Sequence, residues 1–340
     1  MHDLVVVGGG PAGLVTALNG ARAGLDVVLF ERRAGVLDKA CGEGLMPGAL
    51  HALQRLGVDP PGHDLAGITY RDTSRSARAA FRAGPGRGVR RTALHAALRD
   101  ALADAGVPVC ERAVTEVVQR NGCVEAGGVR ARYLAAADGL HSPLRRNAGL
   151  IAASRSDPAR WGLRQHFAVD AWTDDVEVTW ADGCEAYVTP VADGLVGVAI
   201  LSSSRGDFDA HLRHFPLLRG RLKGAQAVSP VRGAGPLRQR CRARTAGRVL
   251  LVGDAAGYVD ALTGEGLAVS FAAATALIDC VVRDRPQDYD RAWARLSRRS
   301  RWLTSGLLWA RQRSVLAGRI VPAAAHMPRV FSAAVDQLAQ

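Results

Sequence analysis

The chain opens with an unbroken apolar run that predicts a buried β-strand. Residues 3–7 read Asp-Leu-Val-Val-Val, a β-branched pattern typical of a parallel strand that is covered on both faces. A stretch rich in Ala and Leu with helical spacing follows. The next apolar run, residues 26–31, predicts a second strand that ends at Glu31. Strand, helix and strand in succession predict an α/β unit built on a parallel sheet.

The pattern then alternates between helical and strand-like stretches. Helices are predicted at residues 45–56, at residues 91–105, where leucines recur every four positions, and at residues 267–282. Strands are predicted at residues 68–81, 107–118, 123–125, 128–137, 161–169, 176–180, 184–191, 195–201 and 248–252, with an Asn121-Gly122 hairpin turn. The four consecutive strands between residues 161 and 201 predict a separate, antiparallel or mixed sheet.

The C-terminal part is predicted to be helical and basic. Its longest apolar tract, residues 267–282, is interrupted by Asp279 and is short for a bilayer span, which favours a buried helix. Of the net charge of +12, residues 283–329 carry +8, from eleven arginines and three aspartates. An amphipathic helix packed on the enzyme body and a peripheral contact with an anionic membrane are both compatible with this pattern. No basic motif or stacking platform for nucleic acid is present.

The cysteines and the N-terminus indicate a reduced compartment. The six cysteines form neither a C-x-x-C pair nor a zinc spacing, so we predict no metal site. The first strand begins at once, without a signal peptide, and we expect a cytoplasmic protein.

A glycine-rich turn joins the first strand to the first helix. Gly8, Gly10 and Gly13 have the G-x-G-x-x-G spacing, in which the glycines allow a tight turn, a close approach of pyrophosphate and close helix packing. Glu31 lies where a carboxylate would accept a hydrogen bond from a ribose hydroxyl. The sequence therefore predicts an adenine dinucleotide site formed by Gly8, Gly10, Pro11, Ala12, Gly13, Glu31 and Arg32.

Two further motifs resemble those of a known protein family. Residues 248–257 read RVLLVGDAAG and residues 133–145 read YLAAADGLHSPLR. With the N-terminal motif, they are similar, in order and position, to the GD and DG signatures of the group A FAD-dependent monooxygenases and the related geranylgeranyl reductases. This resemblance implies a glutathione-reductase-type FAD-binding Rossmann domain with an inserted substrate domain, and FAD as the cofactor.

The resemblance also implies domain boundaries and cofactor contacts. The FAD-binding domain would comprise residues 1–65, 90–150 and 245–285, the substrate domain residues 66–89 and 151–244, and a helical segment residues 286–340. Asp254 would hold the ribityl chain, although a helix N-cap role is compatible with it. Backbone N–H groups of the TGEG turn would face the negative charge of the reduced flavin. The implied contacts are Arg91 (or Arg90), Asp138, Gly253, Asp254, Gly264, Gly266 and Leu267.

Candidate catalytic residues lie in two stretches that resemble the geranylgeranyl reductase branch. Residues 39–47 read KACGEGLMP, which places Cys41 and Gly42 beside the flavin, where Cys41 orients substrate or supplies a proton. The alternative is a small packed residue in a glycine-rich loop. Residues 185–190, EAYVTP, partly match the Y-x-W-x-F-P stretch of that branch and place Tyr187 in the substrate pocket. The W-x-W-x-I-P stretch of tryptophan halogenases is absent.

Two reactions follow from the resemblance. The first is NAD(P)H-dependent hydroxylation of an aromatic or polyketide-like lipophilic molecule, and the second is reduction of a carbon–carbon double bond in a prenyl or lipid substrate. A flavin-binding protein without catalysis is a third hypothesis, against which the intact motifs argue. Only one G-x-G-x-x-G opens a strand-helix unit, so NAD(P)H would visit transiently as electron donor, and a ferredoxin or another reductase is an alternative.

Overall fold

The computed structural model describes residues 1–120, 122–153 and 159–339, so Asn121 of the predicted hairpin turn lies outside the described residues. The helices are α1 (Pro11–Arg22), α2 (Pro47–Arg55), α3 (Arg91–Asp104), α4 (Pro143–Asn147), α5 (Phe208–Leu212), α6 (Pro216–Arg221), α7 (Gly266–Val282), α8 (Tyr289–Arg311), α9 (Ser314–Ala317), α10 (Ile320–His326) and α11 (Pro328–Ala339). The strands are β1 (His2–Val7), β2 (Val27–Glu31), β3 (Gly44–Leu45), β4 (His63–Leu65), β5 (Gly67–Arg71), β6 (Ser76–Ala80), β7 (Gly86–Gly88), β8 (Val109–Glu111), β9 (Val118–Arg120), β10 (Cys123–Ala126), β11 (Val129–Ala136), β12 (Trp161–Ala168), β13 (Asp175–Ala181), β14 (Cys184–Ala192), β15 (Leu195–Ser202), β16 (Gln226–Ala227), β17 (Arg232–Ala234), β18 (Thr245–Ala246) and β19 (Val249–Leu251).

The first sheet has a parallel centre. Its strand order is β18-β19-β11-β1-β2-β8, and the pairs from β19 to β8 are all parallel. Leu4, Val5 and Val6 of β1 are fully buried, as expected for a strand covered on both faces. Helix α1 follows β1 and packs against α3 and α7.

The second sheet is mixed. Its order is β16-β12-β15-β14-β13-β5-β6, and its pairs are antiparallel except that β13 and β5 run parallel. The prediction of one strand over residues 68–81 is wrong, because β5 and β6 form two strands. Between them, the Asp72 carboxylate accepts the backbone N–H groups of Ser74 and Arg75 and so fixes a turn. Together, the two sheets and the helical C-terminus confirm the predicted α/β class with an antiparallel or mixed second sheet.

The two faces of the second sheet differ in chemistry. On one face, Val188, Val198 and Ile200 pack against Phe208 and Phe215 of the α5–α6 region in an apolar core. On the other face lie Arg164, His166, Glu185 and Tyr187, all buried. The polar face is turned toward the loops at the edge of the first sheet.

A small third sheet, β3-β7-β4, was not predicted, because its strands are only two or three residues long. It joins residues assigned to both predicted domains and presses against the second sheet. A Cβ atom added to Gly88 would lie 1.7 Å from the carbonyl oxygen of Pro190, so only glycine allows this approach.

Helices α10 and α11 pack against the edge of the second sheet, where Phe331 meets Tyr70 at a ring-centroid distance of 4.8 Å. In the described part of the chain, no helix has both the length and the apolar character needed to cross a bilayer.

Candidate active site

The turn after β1 leaves no room for side chains. Gly8 has φ +110°, and a Cβ atom on Gly13 would lie 1.8 Å from the Gly8 carbonyl oxygen. Helix α1 begins at Pro11 with Gly10 as its N-cap, which offers no side-chain partner to the N–H groups of the first turn. Ala12 lies under the turn, where a Cβ atom on Gly253 would lie 2.7 Å from it. These features fit a pyrophosphate at the helix N-terminus.

Glu31 holds the glycine-rich turn. Its Oε2 atom accepts the Gly9 N–H at 2.8 Å, and its Oε1 atom accepts Arg33 Nε at 3.1 Å. Burial alone would raise the pKa of Glu31, but these hydrogen bonds and the Arg33 charge lower it. On the other side, His95 Nδ1 accepts the Leu37 N–H, so its Nε2–H donates to the Gly9 carbonyl at 2.8 Å.

The structure separates the predicted Arg32 from this cluster. Arg32 is exposed, whereas the neighbouring Arg33 is half-buried and paired with Glu31. Alternation along the extended chain puts adjacent side chains on opposite sides, and the contact of Arg32 with the cofactor stays a prediction.

In the DG segment, one carboxylate oxygen of Asp138 has no hydrogen-bond partner among the described residues. Asp138 Oδ2 accepts the Leu144 N–H at 3.0 Å, while Oδ1 is buried and has no partner among the described residues. Burial raises the pKa of this carboxyl group, although the hydrogen bonds lower it. A buried acceptor without a partner fits a group from a bound cofactor.

Arg145, which sequence reasoning left without a role, ties the DG segment to the GD loop. It is 4% exposed and donates to the carbonyl oxygens of Ala255, at 3.1 Å, and Leu140, at 2.9 Å. It also donates to Gln239 Oε1 at 2.8 Å. An arginine that bonds two backbone carbonyls fixes the loop that carries Asp254.

Asp254 follows β19 in a short 3-10 turn and faces positive charge. Burial raises the pKa of its carboxyl group, while Lys39, Arg91 and Arg145 lower it. Among the described residues, none donates a hydrogen bond to this carboxylate. Acceptors of this kind suit the hydroxyls of a ribityl chain.

Arg91 is better placed than Arg90 for the predicted cofactor contact. Its terminal nitrogen lies 4.0 Å from the position of a Cβ atom on Gly10, beside the glycine-rich turn. The Nε atoms of both Arg90 and Arg91 are buried without a described partner. Arg91 also begins α3, where its backbone N–H donates to Glu43 Oε1 at 2.8 Å.

The TGEG turn opens α7. Gly264 has φ +71°, Gly266 is the first helical residue and Leu267 follows in the first turn. No side chain of the described residues caps this N-terminus, so its N–H groups are available to an anion such as the reduced flavin. Burial raises the pKa of Glu265 in this turn to about 7, against hydrogen bonds from Ser300 and Thr263 that lower it.

The loop containing Cys41 is anchored by a buried polar network. Glu43 Oε2 lies 2.7 Å from His166 Nε2, and Arg164 lies between His166 Nδ1, at 3.0 Å, and the Asp38 carboxylate. Because Arg164 donates to Nδ1, the hydrogen of His166 is on Nε2 and is donated to Glu43. No local sequence pattern connects Glu43 with His166, because 123 residues separate them.

Further contacts hold this loop against β14. Gly42 accepts a hydrogen bond from Thr189 Oγ1 at 2.9 Å, and Cys41 Sγ accepts the Glu43 N–H at 3.4 Å. Glu43 has φ +61°, a strained conformation for a residue with a side chain. Burial raises the pKa of the Cys41 thiol, so the thiol keeps its proton at neutral pH.

A hydrogen bond holds the Tyr187 side chain in place. Its hydroxyl donates to the Leu262 carbonyl at 2.9 Å, next to the TGEG turn, and burial raises its pKa well above the usual value. It shares one face of the sheet with Arg164, since both lie opposite Ala199. This geometry suits a residue that positions the turn, and its catalytic role stays a prediction.

A second buried cluster joins α8 to the second sheet. Glu185 is fully buried and accepts Arg160 at 2.5 Å and Arg311 of α8. Arg160 Nε also lies 3.4 Å from Asp260 Oδ2, and burial raises the pKa of Asp260 to about 6. Sequence reasoning missed this cluster, because 126 residues separate Glu185 from Arg311.

Comparison with known proteins assigns the family. A family model described as "FAD binding domain" matches residues 1–281. Digeranylgeranylglycerophospholipid reductase 1 of Methanopyrus kandleri is 31% identical and aligns with 78% of this chain and 76% of its own. Reductase 2 of that organism is 29% identical, covering 79% and 74%. Menaquinone reductase of Mycobacterium tuberculosis is 30% identical, covering 78% and 72%.

Solved structures share the fold. The p-nitrophenol 4-monooxygenase PnpA of Pseudomonas putida has a TM-score of 0.81 and 20% identity, covering 99% of this chain and 95% of its own. The halogenase PltM in complex with phloroglucinol and FAD has a TM-score of 0.75 and 16% identity, covering 98% and 86%. The glycine-rich turn, the open Asp138 and Asp254 carboxylates and the uncapped α7 N-terminus fit FAD. The predicted resemblance is confirmed: this chain belongs to the FAD-binding domain family of group A monooxygenase-like and geranylgeranyl reductase-like flavoproteins, and it is an FAD-dependent oxidoreductase.

Proposed function

We propose that this enzyme reduces carbon–carbon double bonds in the prenyl chain of a lipophilic substrate. The observation that carries the proposal is the Cys41 loop, a protonated thiol in a segment fixed by Glu43 and His166 beside the predicted flavin site. The reductases that are 29–31% identical to this chain over nearly four-fifths of its length support it. Their names denote molecules that carry prenyl chains.

The chemistry divides between cofactor and protein. Reduced FAD supplies the hydride, and saturation of the double bond then requires one proton. Cys41 holds that proton, because burial raises the pKa of its thiol. Glu43, His166 and Arg164 keep the loop in place, and Tyr187 keeps the facing turn in place. NAD(P)H is the proposed electron donor, binding transiently.

The alternative is hydroxylation of an aromatic or polyketide-like molecule, the first of the two reactions that the sequence resemblance implies. The two reactions differ in their need for oxygen, because hydroxylation consumes O2 and reduction does not. The experiment is to photoreduce the FAD-loaded enzyme and incubate it with menaquinone or a geranylgeranyl glycerolipid, with and without oxygen. Product with two added hydrogens under both conditions supports reduction, whereas a product with one added oxygen, formed only in air, refutes it.

Cys41 is tested in the same assay. Cys41→Ala should lower the rate of product formation at least tenfold with FAD retained, while Cys110→Ala, on strand β8 at the edge of the first sheet, should match the wild type. An unchanged rate in Cys41→Ala would show that the reaction does not need the thiol. The oxygen test alone would then decide between reduction and hydroxylation.

The outer face of α8 suits contact with an anionic membrane, from which a lipophilic substrate would be drawn. Trp302 and Trp309 are 76% and 54% exposed and lie on one side of the helix. The exposed Arg295, Arg298 and Arg299 share that side. Tryptophan favours the membrane interface and arginine favours anionic headgroups. We therefore propose peripheral attachment through this face.

A further inference from the structure

The inward face of α8 carries two buried hydroxyl side chains among larger ones, Tyr289, Trp293 and Leu308. Ser297 and Thr304 are 1% and 2% exposed, and they lie along the side of α8 that packs on the protein. A helix that packs on a core normally presents apolar side chains to it, while this helix turns its exposed tryptophans outward. Hydroxyl groups on the packed side indicate that this side meets something polar.

One of these hydroxyls lacks a partner. Thr304 Oγ1 lies 2.9 Å from Thr263 Oγ1, but Ser297 Oγ is buried and, in the described part of the chain, has no hydrogen-bond partner. Leaving a buried hydroxyl without a hydrogen bond is unfavourable. A ligand that accepts or donates a hydrogen bond at this point would remove that cost.

The unsatisfied hydroxyl faces a cavity of about 190 Å³. One wall is the α8 face with Trp293, Ser297, Ser300 and Arg301, and another wall is formed by residues 238–244. One water needs roughly 10–15 Å³ of such space, so the cavity admits a group of several heavy atoms. Gly253 and Gly266 also line it, so an occupant would lie next to the predicted flavin site.

Two arginines in the lining stack on the same tryptophan. The guanidinium carbon of Arg244 lies 3.8 Å from the ring centroid of Trp293, and that of Arg301 lies 5.3 Å from it. Arg244 Nε donates to the Ala256 carbonyl at 3.1 Å. Neither arginine has a carboxylate within salt-bridge distance among the described residues. Asp290, which accepts the Arg244 backbone N–H at 2.7 Å, offsets part of the Arg244 charge. Two like charges held together favour an anion.

Two carboxylates line the same cavity and do not neutralise these arginines. Asp260 is paired with Arg160, whose Nε lies 3.4 Å from Oδ2. Asp254 lies at the predicted ribityl position, and burial raises its pKa. The charge of Arg301, and the part of the Arg244 charge that Asp290 does not offset, is therefore left for a ligand.

We propose that this cavity binds the phosphate or diphosphate group of the substrate. This inference rests on the proposed function, because it adds an anionic head to the prenyl chain. The arginines would pair with the phosphate oxygens and Ser297 would donate its hydroxyl hydrogen to them. The bound head would anchor the substrate beside the flavin site. NADPH carries phosphate as well, and the test separates the two sources.

The test measures binding without turnover. Inorganic pyrophosphate is titrated into the oxidised, FAD-loaded protein by calorimetry, so that the glycine-rich turn is already filled. We expect saturable binding that Arg301→Gln weakens at least tenfold and Ser297→Ala weakens severalfold. The matched control is Arg299→Gln, which removes the same charge from the exposed side of the same helix and should bind like the wild type. Equal FAD content and melting temperature show that the variants are folded.

Competition then identifies the source of the phosphate. Geranylgeranyl diphosphate should displace pyrophosphate from the wild type and bind at least tenfold more weakly to Arg301→Gln. Absence of pyrophosphate binding, equal weakening by Arg299→Gln, or displacement by NADPH and not by the prenyl diphosphate would overturn the proposal. Each of these results leaves the oxygen test of the reaction unaffected. Conversely, an oxygen-dependent reaction with normal pyrophosphate binding would refute the proposed function alone.

Discussion

The Glu43 carboxylate lies 2.7 Å from Nε2 of His166, and both side chains are 1% exposed. This contact joins the loop that carries Cys41 to strand β12 of the second sheet. Arg164 completes the arrangement by donating to the other ring nitrogen of His166. The position of the candidate thiol therefore depends on a hydrogen bond between two elements that are far apart in the chain.

Replacement of Glu43 by Gln should destabilise the protein and displace the loop. A hydrogen bond to a charged group contributes about 1.5–3 kcal/mol, and burial prevents water from replacing it. We expect the free energy of unfolding of the FAD-loaded protein to fall by about 2 kcal/mol, with an altered visible flavin spectrum. Thermal unfolding and absorbance measure the two effects.

The chain offers a matched control for this prediction. His63 and Asp174 form the same kind of pair at 2.8 Å, but Asp174 is 72% exposed. Asp174→Asn should change stability by less than about 1 kcal/mol and leave the flavin spectrum unchanged. Equal effects of the two substitutions would show that the buried pair has no special role.

Replacement of Asp254 by Ala should release FAD. If the carboxylate accepts hydrogen bonds from the ribityl hydroxyls, its loss removes about 1.5–3 kcal/mol of binding energy, which is tenfold or more in Kd. The flavin absorbance of the purified variant measures retention. Asp182→Ala, in the exposed turn between β13 and β14, is the control and should retain FAD. Full occupancy of Asp254→Ala would contradict the assignment.

Glu265 should make stability depend on pH. Burial raises its pKa to about 7 in the folded protein, whereas an unfolded Glu titrates near 4.3. Between these values the folded state holds a proton that the unfolded state has released, so the free energy of unfolding falls as pH rises from about 4.3 to 7. The decrease attributable to Glu265 is at most about 4 kcal/mol.

Urea unfolding at pH 5 and pH 8 measures this dependence. The difference between the two pH values should be smaller in Glu265→Gln than in the wild type. Glu116→Gln, which changes an exposed glutamate, should keep the wild-type difference. A wild-type pH dependence in Glu265→Gln would show that Glu265 titrates normally.

Much of the fold and of the cofactor site follows from local patterns. The apolar run of β1, the glycine spacing before α1 and the GD segment after β19 each lie within about fifteen residues. Local spacing determines such features, because neighbouring residues in the chain form them. The open carboxylates of Asp138 and Asp254 stand at positions that these motifs indicated.

The contacts that fix the candidate catalytic loop could not be predicted from local sequence patterns. Glu43 and His166 are 123 residues apart, and their contact depends on how β12 packs against a loop. The strands of the third sheet are too short for their alternation to be detected. For α8, helical spacing identified the helix, but not that Ser297 would point inward and Trp302 outward.

We predict that the protein binds anionic membranes through the outer face of α8. Replacing both Trp302 and Trp309 by Ser should reduce sedimentation with anionic phosphatidylglycerol vesicles severalfold, and salt should weaken the binding of the wild type. The control is Leu217→Ser, an apolar residue that is 56% exposed on α6, away from α8. Wild-type sedimentation of the double variant, or none by the wild type at low salt, would rule out this face as the contact.

Reoxidation of the reduced flavin without oxygen tests the proposed reaction most directly. The photoreduced, FAD-loaded enzyme is mixed under strict anaerobiosis with a geranylgeranyl lipid or menaquinone, and the visible absorbance of the flavin is followed in a stopped-flow instrument. We predict that the oxidised spectrum returns and that one double bond is saturated for each flavin reoxidised. A flavin that stays reduced until oxygen is admitted, and then yields a hydroxylated product, would contradict the account.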